Sequence, residues 1–187
     1  MFSTQNNKLN PINNKRKNMN KFSQIFFIVV SIMIISTVAS AQGTLPDVNL
    51  KTLDGKTVKL NDIVSEGKIT VLNFWATWCN PCKKELDTIK DFYPEWRDEY
   101  NVEFIAVSID NAGTIRKVKP MVGQRGWEYS VYTDEKGDMM RELNFQTIPQ
   151  TFLLDQKKNI VYTHNGYVAG DEYDLEDEIK AVFEKSK

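Results

Sequence analysis

Two cysteines, the only ones among 187 residues, stand three positions apart in Trp78-Cys79-Asn80-Pro81-Cys82, directly behind the apolar run Val71-Leu72-Asn73-Phe74-Trp75. Such a pair can staple the chain, hold a metal or exchange electrons. As a staple it is poor, because closing so short a loop removes little entropy from the unfolded chain. A zinc site takes about four ligands, and beyond these two thiols the chain offers only His164, far away in sequence, so no metal is expected. Exchange fits the placement. If Ile69–Trp75 is a strand and a helix opens near Pro81, Cys79 lies at the helix N-terminus, where unpaired N–H groups and the macrodipole favour an anion. A thiolate is stabilised there and its pKa falls. The i, i+3 spacing keeps both Cα atoms within disulfide reach, so oxidised and reduced forms interconvert with little backbone movement. Pro81 suits the first helical turn, where its missing N–H has no partner to lose.

A proton must move with such chemistry, and Glu85 is the candidate to carry it. Positions 82, 85, 89, 92 and 96 fall along one helical face, so Glu85 shares the apolar stripe of Ile89, Phe92 and Trp96, one turn below Cys82. A carboxyl there would be partly desolvated, its pKa raised, and able to exchange a proton with Cys82 near neutral pH. The other reading is a solvated helix carboxylate paired with Lys84 or Lys90. Both stand at this point.

The elements that must position these groups alternate along the chain. Val48–Leu50 and Thr57–Leu60 flank Asp54-Gly55, a hairpin signal. Ile69–Trp75 and Val102–Ser108 suit buried, parallel central strands. Between them Leu86, Ile89, Phe92, Tyr93, Trp96 and Tyr100 recur at helical spacing, which completes a βαβ unit with the dithiol at the carboxyl end of its first strand. Thr114–Arg125 reads as a helix that Pro120 must kink or restart, Trp127–Thr133 as a short strand and Asp138–Leu143 as a short helix. Thr151–Asp155 and Ile160–His164 form an antiparallel hairpin around Gln156–Asn159, and Leu175–Lys187 closes the chain as a helix. The architecture implied is α/β, a mixed sheet with helices on both faces.

Residues 1–41 read differently. Lys15, Arg16, Lys17 and Lys21 precede the apolar stretch Ile25–Ile35, and Ala39-Ser40-Ala41 follows: basic, apolar, small-x-small, the order of a secretory signal. The apolar core is shorter than the ~20 residues of a membrane span. Cleavage after Ala41 is expected, an uncleaved N-terminal anchor being the alternative, and Met19 is a possible true start. Residues 42–187 then make one domain with room for a substantial core. Five of the 24 basic residues and none of the 25 acidic ones lie in 1–41, which leaves that domain at −6. Such a charge argues against nucleic acid as a partner. With one dithiol in an oxidising compartment, stability should come from the apolar core and not from disulfides.

Phe74-Trp75-Ala76-Thr77-Trp78-Cys79-Asn80-Pro81-Cys82, followed at distance by Thr147-Ile148-Pro149-Gln150-Thr151-Phe152, resembles the thioredoxin superfamily, most closely its exported TlpA/ResA-like branch. The resemblance covers Gly43–Lys187. It implies a thioredoxin-like three-layer fold with a mixed central sheet, an N-terminal hairpin and an inserted helix and strand, for which the 38 residues between Asp110 and Pro149 leave space. It also implies a cis Ile148-Pro149 bond, with Ile148 offering backbone groups to a bound peptide, and it associates the glutamate of Cys-Lys-Lys-Glu, here Glu85, with the site. Two positions depart from related patterns: Asn73 stands where cytosolic thioredoxins keep a buried aspartate and cannot relay a proton, and Asp87 stands where the branch often has proline.

The activity implied is thiol–disulfide exchange with disulfide-bearing proteins outside the cytoplasm, periplasmic or extracellular. Cys79 would attack, Cys82 would resolve the mixed disulfide, and Trp75, Trp78, Asn80, Pro81, Ile148 and Pro149 would form the docking surface. Trp75 has a second reading as a core aromatic, as Phe74 does. No cofactor is needed, a monomer is expected, and the resemblance implies recharging by a membrane thiol donor. Two other functions are weighed against this. A peroxiredoxin-type peroxidase would place Thr or Ser three residues before the reactive cysteine, where this chain has Ala76. A redox-inert peptide-binding or assembly module would not need an intact dithiol. The dipeptide Asn80-Pro81 leaves the direction of electron flow open on a scale running from roughly −270 to −120 mV.

Overall fold

The apolar run Ile69–Trp75 becomes strand β3, buried along all seven residues, as a strand must be when helices cover both faces of its sheet. In the computed structural model, which describes residues 45–187, β3 pairs in parallel with β4 (Val102–Ser108) and antiparallel with β6 (Gln150–Leu154). The expected signal at 1–41 and the alternative start at Met19 lie outside the described residues.

Among the described residues seven strands form one mixed sheet of order β2-β1-β5-β4-β3-β6-β7. The outer members are β1 (Asn49–Thr52), β2 (Thr57–Lys59), β5 (Ser130–Thr133) and β7 (Ile160–Asn165). β1 and β2 make the expected N-terminal hairpin, with Asn49 opposite Lys59. β5 runs parallel to β4 and antiparallel to β1, so the inserted segment joins the hairpin to the central strands.

Side-chain alternation along β3 divides the core in two. Ile69, Val71 and Trp75 pack with Leu86, Ile89 and Trp96 of α2 (Asn80–Tyr100) and with Leu175, Ile179 and Val182 of α5 (Asp171–Lys185). Leu72 and Phe74 pack on the other side with Leu60 of α1 (Leu60–Ile63), Met139 of α4 (Asp138–Glu142) and Phe145. The three layers follow directly from this division.

Most elements lie within a residue or two of their expected bounds, and three differ by more. A 3-10 turn at Ile115–Lys117 precedes α3 (Val118–Arg125), so Pro120 restarts the helix in its first turn, where no N–H partner is lost. The strand expected from Trp127 begins only at Ser130, because Trp127 and Tyr129 turn into the core beside α2. The last helix begins at Asp171 and not at Leu175. Gly170, at φ 113, turns the chain, and three acidic residues fill a first turn that carries no apolar stripe but suits the helix dipole.

Candidate active site

The strand-to-helix turn delivers Cys79 as the N-cap of α2. Its backbone is extended (φ −86, ψ 105), its N–H goes to the Ala76 carbonyl at 3.0 Å, and its sulfur accepts the Cys82 N–H at 3.2 Å. Pro81 occupies the first turn. The two cysteines form a disulfide with Cα atoms 5.4 Å apart. On reduction, a Cys79 thiolate would keep an amide donor already aimed at it and the positive end of α2 behind it.

The two sulfurs are unequally placed. Cys79 retains 5% exposure and Cys82 none. Around Cys79, Trp78 is 58% exposed and Asn80 and Pro81 are exposed. The Ile148-Pro149 bond is cis, and the half-buried Ile148 places its carbonyl oxygen 3.9 Å from Cys79 Sγ. Pro149 is itself buried, its carbonyl accepting the Gly166 N–H at 2.8 Å. Asn165 braces the same loop, its amide nitrogen 2.8 Å from Thr147 Oγ1 and 3.0 Å from Gln150 Oε1.

Trp75 does not belong to the docking surface. It is fully buried, edge-to-face on Trp127 with ring centroids 5.0 Å apart. The last odd position of β3 points beneath α2, and only after the chain leaves the strand, at Trp78, does an aromatic ring reach solvent.

Beneath Cys82 the site is polar and closed. Glu85 is 4% exposed, which overturns the solvated reading. Asn73 Nδ2 donates to Thr151 Oγ1 at 2.8 Å, and that hydroxyl donates to Glu85 Oε1 at 3.1 Å. Burial pushes the Glu85 carboxyl up to about 7, against the downward pull of Asn73 and Thr151. Asn73, which cannot itself carry a proton, thus orients the hydroxyl that holds the group which can. Behind Glu85 a small cavity is lined by Thr151, Tyr162, His164, Tyr167 and Asp171, with His164 Nε2 3.0 Å from Asp171 Oδ2.

The turn before Cys79 is tied to the end of β4. The Asp110 carboxylate, fully buried, accepts the Thr77 N–H at 2.8 Å, the Thr77 hydroxyl at 2.6 Å and the Ser108 hydroxyl at 2.8 Å. Burial works against its charge, but the neighbouring Thr114, Thr77 and Ser108 outweigh that and hold its carboxyl below the usual range. Lys83 Nζ donates to the Thr77 carbonyl at 3.1 Å. Asp87, at the position where the branch often has proline, pairs with Arg125 and accepts the Trp127 indole N–H at 3.0 Å, fastening α2 to the end of α3 and the segment after it.

Of the residues expected from sequence, Cys79, Cys82, Glu85, Trp78, Asn80, Pro81, Ile148 and Pro149 come together at the N-terminal end of α2. Thr151, Asp110 and Asn165 join the site without being expected there from the sequence pattern. Thr151 lies in the quoted motif, two residues beyond Pro149 and thus on the same face of its strand, and Asp110 stands at the carboxyl end of a parallel strand, where open α/β sheets place their sites. Asn165 gives no comparable signal.

Residues 41–163 match the model of the AhpC/TSA family. Over 161 residues the chain is 32% identical to "Thiol-disulfide oxidoreductase ResA" of Oceanobacillus iheyensis, spanning 78% of this chain and 81% of that protein. It is also 32% identical to "Sporulation thiol-disulfide oxidoreductase A" of Bacillus subtilis over 118 residues, 63% of this chain and 69% of the relative. Among solved structures, a thioredoxin-like protein from Porphyromonas gingivalis superposes with a TM-score of 0.69 at 41% identity, covering 76% of this chain and 94% of that one. StoA from Bacillus subtilis does so with a TM-score of 0.56 at 28% identity, covering 70% and 95%.

Proposed function

The chain belongs to the AhpC/TSA family and is a thiol–disulfide oxidoreductase with a thioredoxin-like fold, and on that premise we propose that it is an exported protein disulfide reductase in which Cys79 attacks, Cys82 resolves and Glu85 exchanges the proton. The observation that carries this reading is the inequality of the two sulfurs: Cys79 keeps a 5% opening beside the exposed Trp78 and the Ile148 carbonyl, while Cys82 is closed off one turn above Glu85.

The Cys79 thiolate attacks a substrate disulfide, one substrate sulfur leaves as a thiolate that takes a proton from water, and a mixed disulfide remains. Cys82, losing its proton towards Glu85, then attacks Cys79 Sγ, which releases the second substrate sulfur as a thiolate, likewise protonated by water, and restores the Cys79–Cys82 disulfide. A carboxyl poised near 7 is suited to take that proton at neutral pH. Trp78 with Asn80 and Pro81 offers one wall for a substrate, and the Ile148 backbone offers the other.

The signal pattern at 1–41, cleaved or retained as an anchor, supports a place outside the cytoplasm, with residues 42–187 as the working domain, recharged by a membrane thiol donor. In a test of the roles, Cys79→Ser abolishes reduction of a small-molecule disulfide and Cys82→Ser accumulates mixed disulfides with clients. Full turnover in either variant rejects the mechanism. A reduction potential near the thioredoxin end, roughly −270 mV, is expected, and one near roughly −120 mV would assign the protein to oxidation instead.

A further inference from the structure

The turn that delivers Cys79 is held between two opposite charges. Thr77, two residues before Cys79, gives its N–H and hydroxyl to Asp110, while its carbonyl receives the ammonium of Lys83. Neither charge is free to wander. Asp110 is fully buried with three donors on one carboxylate. Lys83, half-buried in the first turn of α2, folds its side chain back onto the turn instead of extending into solvent. Thr77 and Cys79 are two Cα steps of about 3.8 Å apart, which puts both charges on the order of 10 Å from the Cys79 sulfur.

We propose that Asp110 and Lys83, acting in opposite directions across Thr77, set the stability of the Cys79 thiolate and with it the reduction potential of the dithiol. Reduction by a dithiol donor breaks the Cys79–Cys82 bond and puts two electrons on the sulfurs, while the donor closes its own disulfide. Of the two protons the donor gives up, one goes to Cys82 and one to water, leaving Cys79 as thiolate at a pH above its pKa. The buried carboxylate repels that negative sulfur and the ammonium attracts it. At such distances, with the effective dielectric of a site near the surface, each charge moves a neighbouring pKa by about half a unit to one unit.

The remaining groups around the sulfurs are common to every variant used to test this. Glu85 lies one turn below Cys82 on α2, His164 and Asp171 lie beyond it on β7 and α5, and the loop before β6 presents the Ile148 carbonyl. Asp110→Asn removes the charge while keeping partners for the turn, since an amide accepts from the Thr77 N–H and donates to either hydroxyl. Lys83→Met removes the other charge and keeps the length of the side chain.

The full-length chain is measured as wild type, Asp110→Asn and Lys83→Met, by the ultraviolet absorbance of the thiolate against pH and by equilibration with glutathione at a pH above the thiol pKa. Asp110→Asn should lower the Cys79 pKa and favour the reduced form about threefold to tenfold, about 15 to 30 mV towards the oxidising end. Lys83→Met should raise the pKa and shift the equilibrium oppositely by a similar factor. Unchanged pKa and potential with a lower melting temperature would make the pair a brace only and overturn the proposal, as would shifts of the same sign. If Asp110→Asn does not fold, a Cys79 pKa that fails to rise in Lys83→Met overturns it alone. The proposal rests on Cys79 as the attacking thiol, which is decided separately by identifying the cysteine that alkylates first in the reduced wild type.

Discussion

The two sides of strand β3 belong to one seven-residue segment, yet they are built on opposite rules. The even side is mostly apolar: beyond Thr70, whose buried hydroxyl has no hydrogen-bond partner among protein groups, Leu72 and Phe74 meet Met139, Phe145 and Phe152, with Phe74 4.6 Å from the Phe145 ring and 5.9 Å from that of Phe152. The odd side has Asn73 between Val71 and Trp75, and it faces Thr151 and Glu85. There Asn73 Oδ1 and Glu85 Oε2 have no hydrogen-bond partner among protein groups. A buried polar atom left so costs about 1–3 kcal/mol, so the odd side gives up stability that the even side supplies. The difference teaches that the site is a local exception carried by a core intact on its other face.

The comparison breaks most visibly at Phe74. Phe74→Ala should lower stability by about 4 kcal/mol through lost transfer energy and a cavity, read as a lower urea midpoint, while the reduction potential in glutathione buffers stays unchanged. A moved potential would show that the two faces are not separable.

Glu85→Gln sharpens the same contrast with the opposite sign. In the folded protein the carboxyl stays protonated until about pH 7, against an ordinary value of 4.5. The folded state therefore binds the extra proton between these values, and stability falls as pH rises through that window. The variant, which has no carboxyl to charge, should be more stable than wild type by about 3 kcal/mol at pH 8 and equal to it near pH 4. Its turnover should be lower, and the rise of rate through pH 7 should disappear from the pH profile. Equal stability at both pH values would mean that the carboxyl is not desolvated.

Thr151→Val should have the smallest effect, about 1 kcal/mol of stability for one lost hydrogen-bonded hydroxyl. Since that hydroxyl favours the charged carboxylate, its loss moves the Glu85 titration to higher pH. A pH profile displaced upward with little change in melting temperature is the expected result, and an undisplaced profile removes Thr151 from the proton path.

Much of this was legible in the chain before folding. β3 and β4 could be bounded to the residue because an unbroken apolar run fits a doubly covered strand. The inward face of α2 could be read from its period, and that period placed Glu85 in the stripe below Cys82. Trp75 escaped the same logic: its neighbours in the motif suggest a docking role, while its odd position in β3 sends it beneath α2. The first turn of α5, Asp171–Asp174, has no apolar stripe to mark it, and the acidic residues there signal a helix start only once Gly170 is seen to turn the chain.

The sequence by itself determined that two thiols sit one helical turn apart at a helix N-terminus with a carboxyl on the same stripe, because periods of 2 and 3.6 residues are local properties of the chain. Only the tertiary structure decided what surrounds them. Thr151 reaches Glu85 across 66 positions and Asp110 reaches Thr77 across 33. Those meetings depend on strand order and register, and strand order and register are settled by burying the whole sheet at once, not by any segment's own pattern.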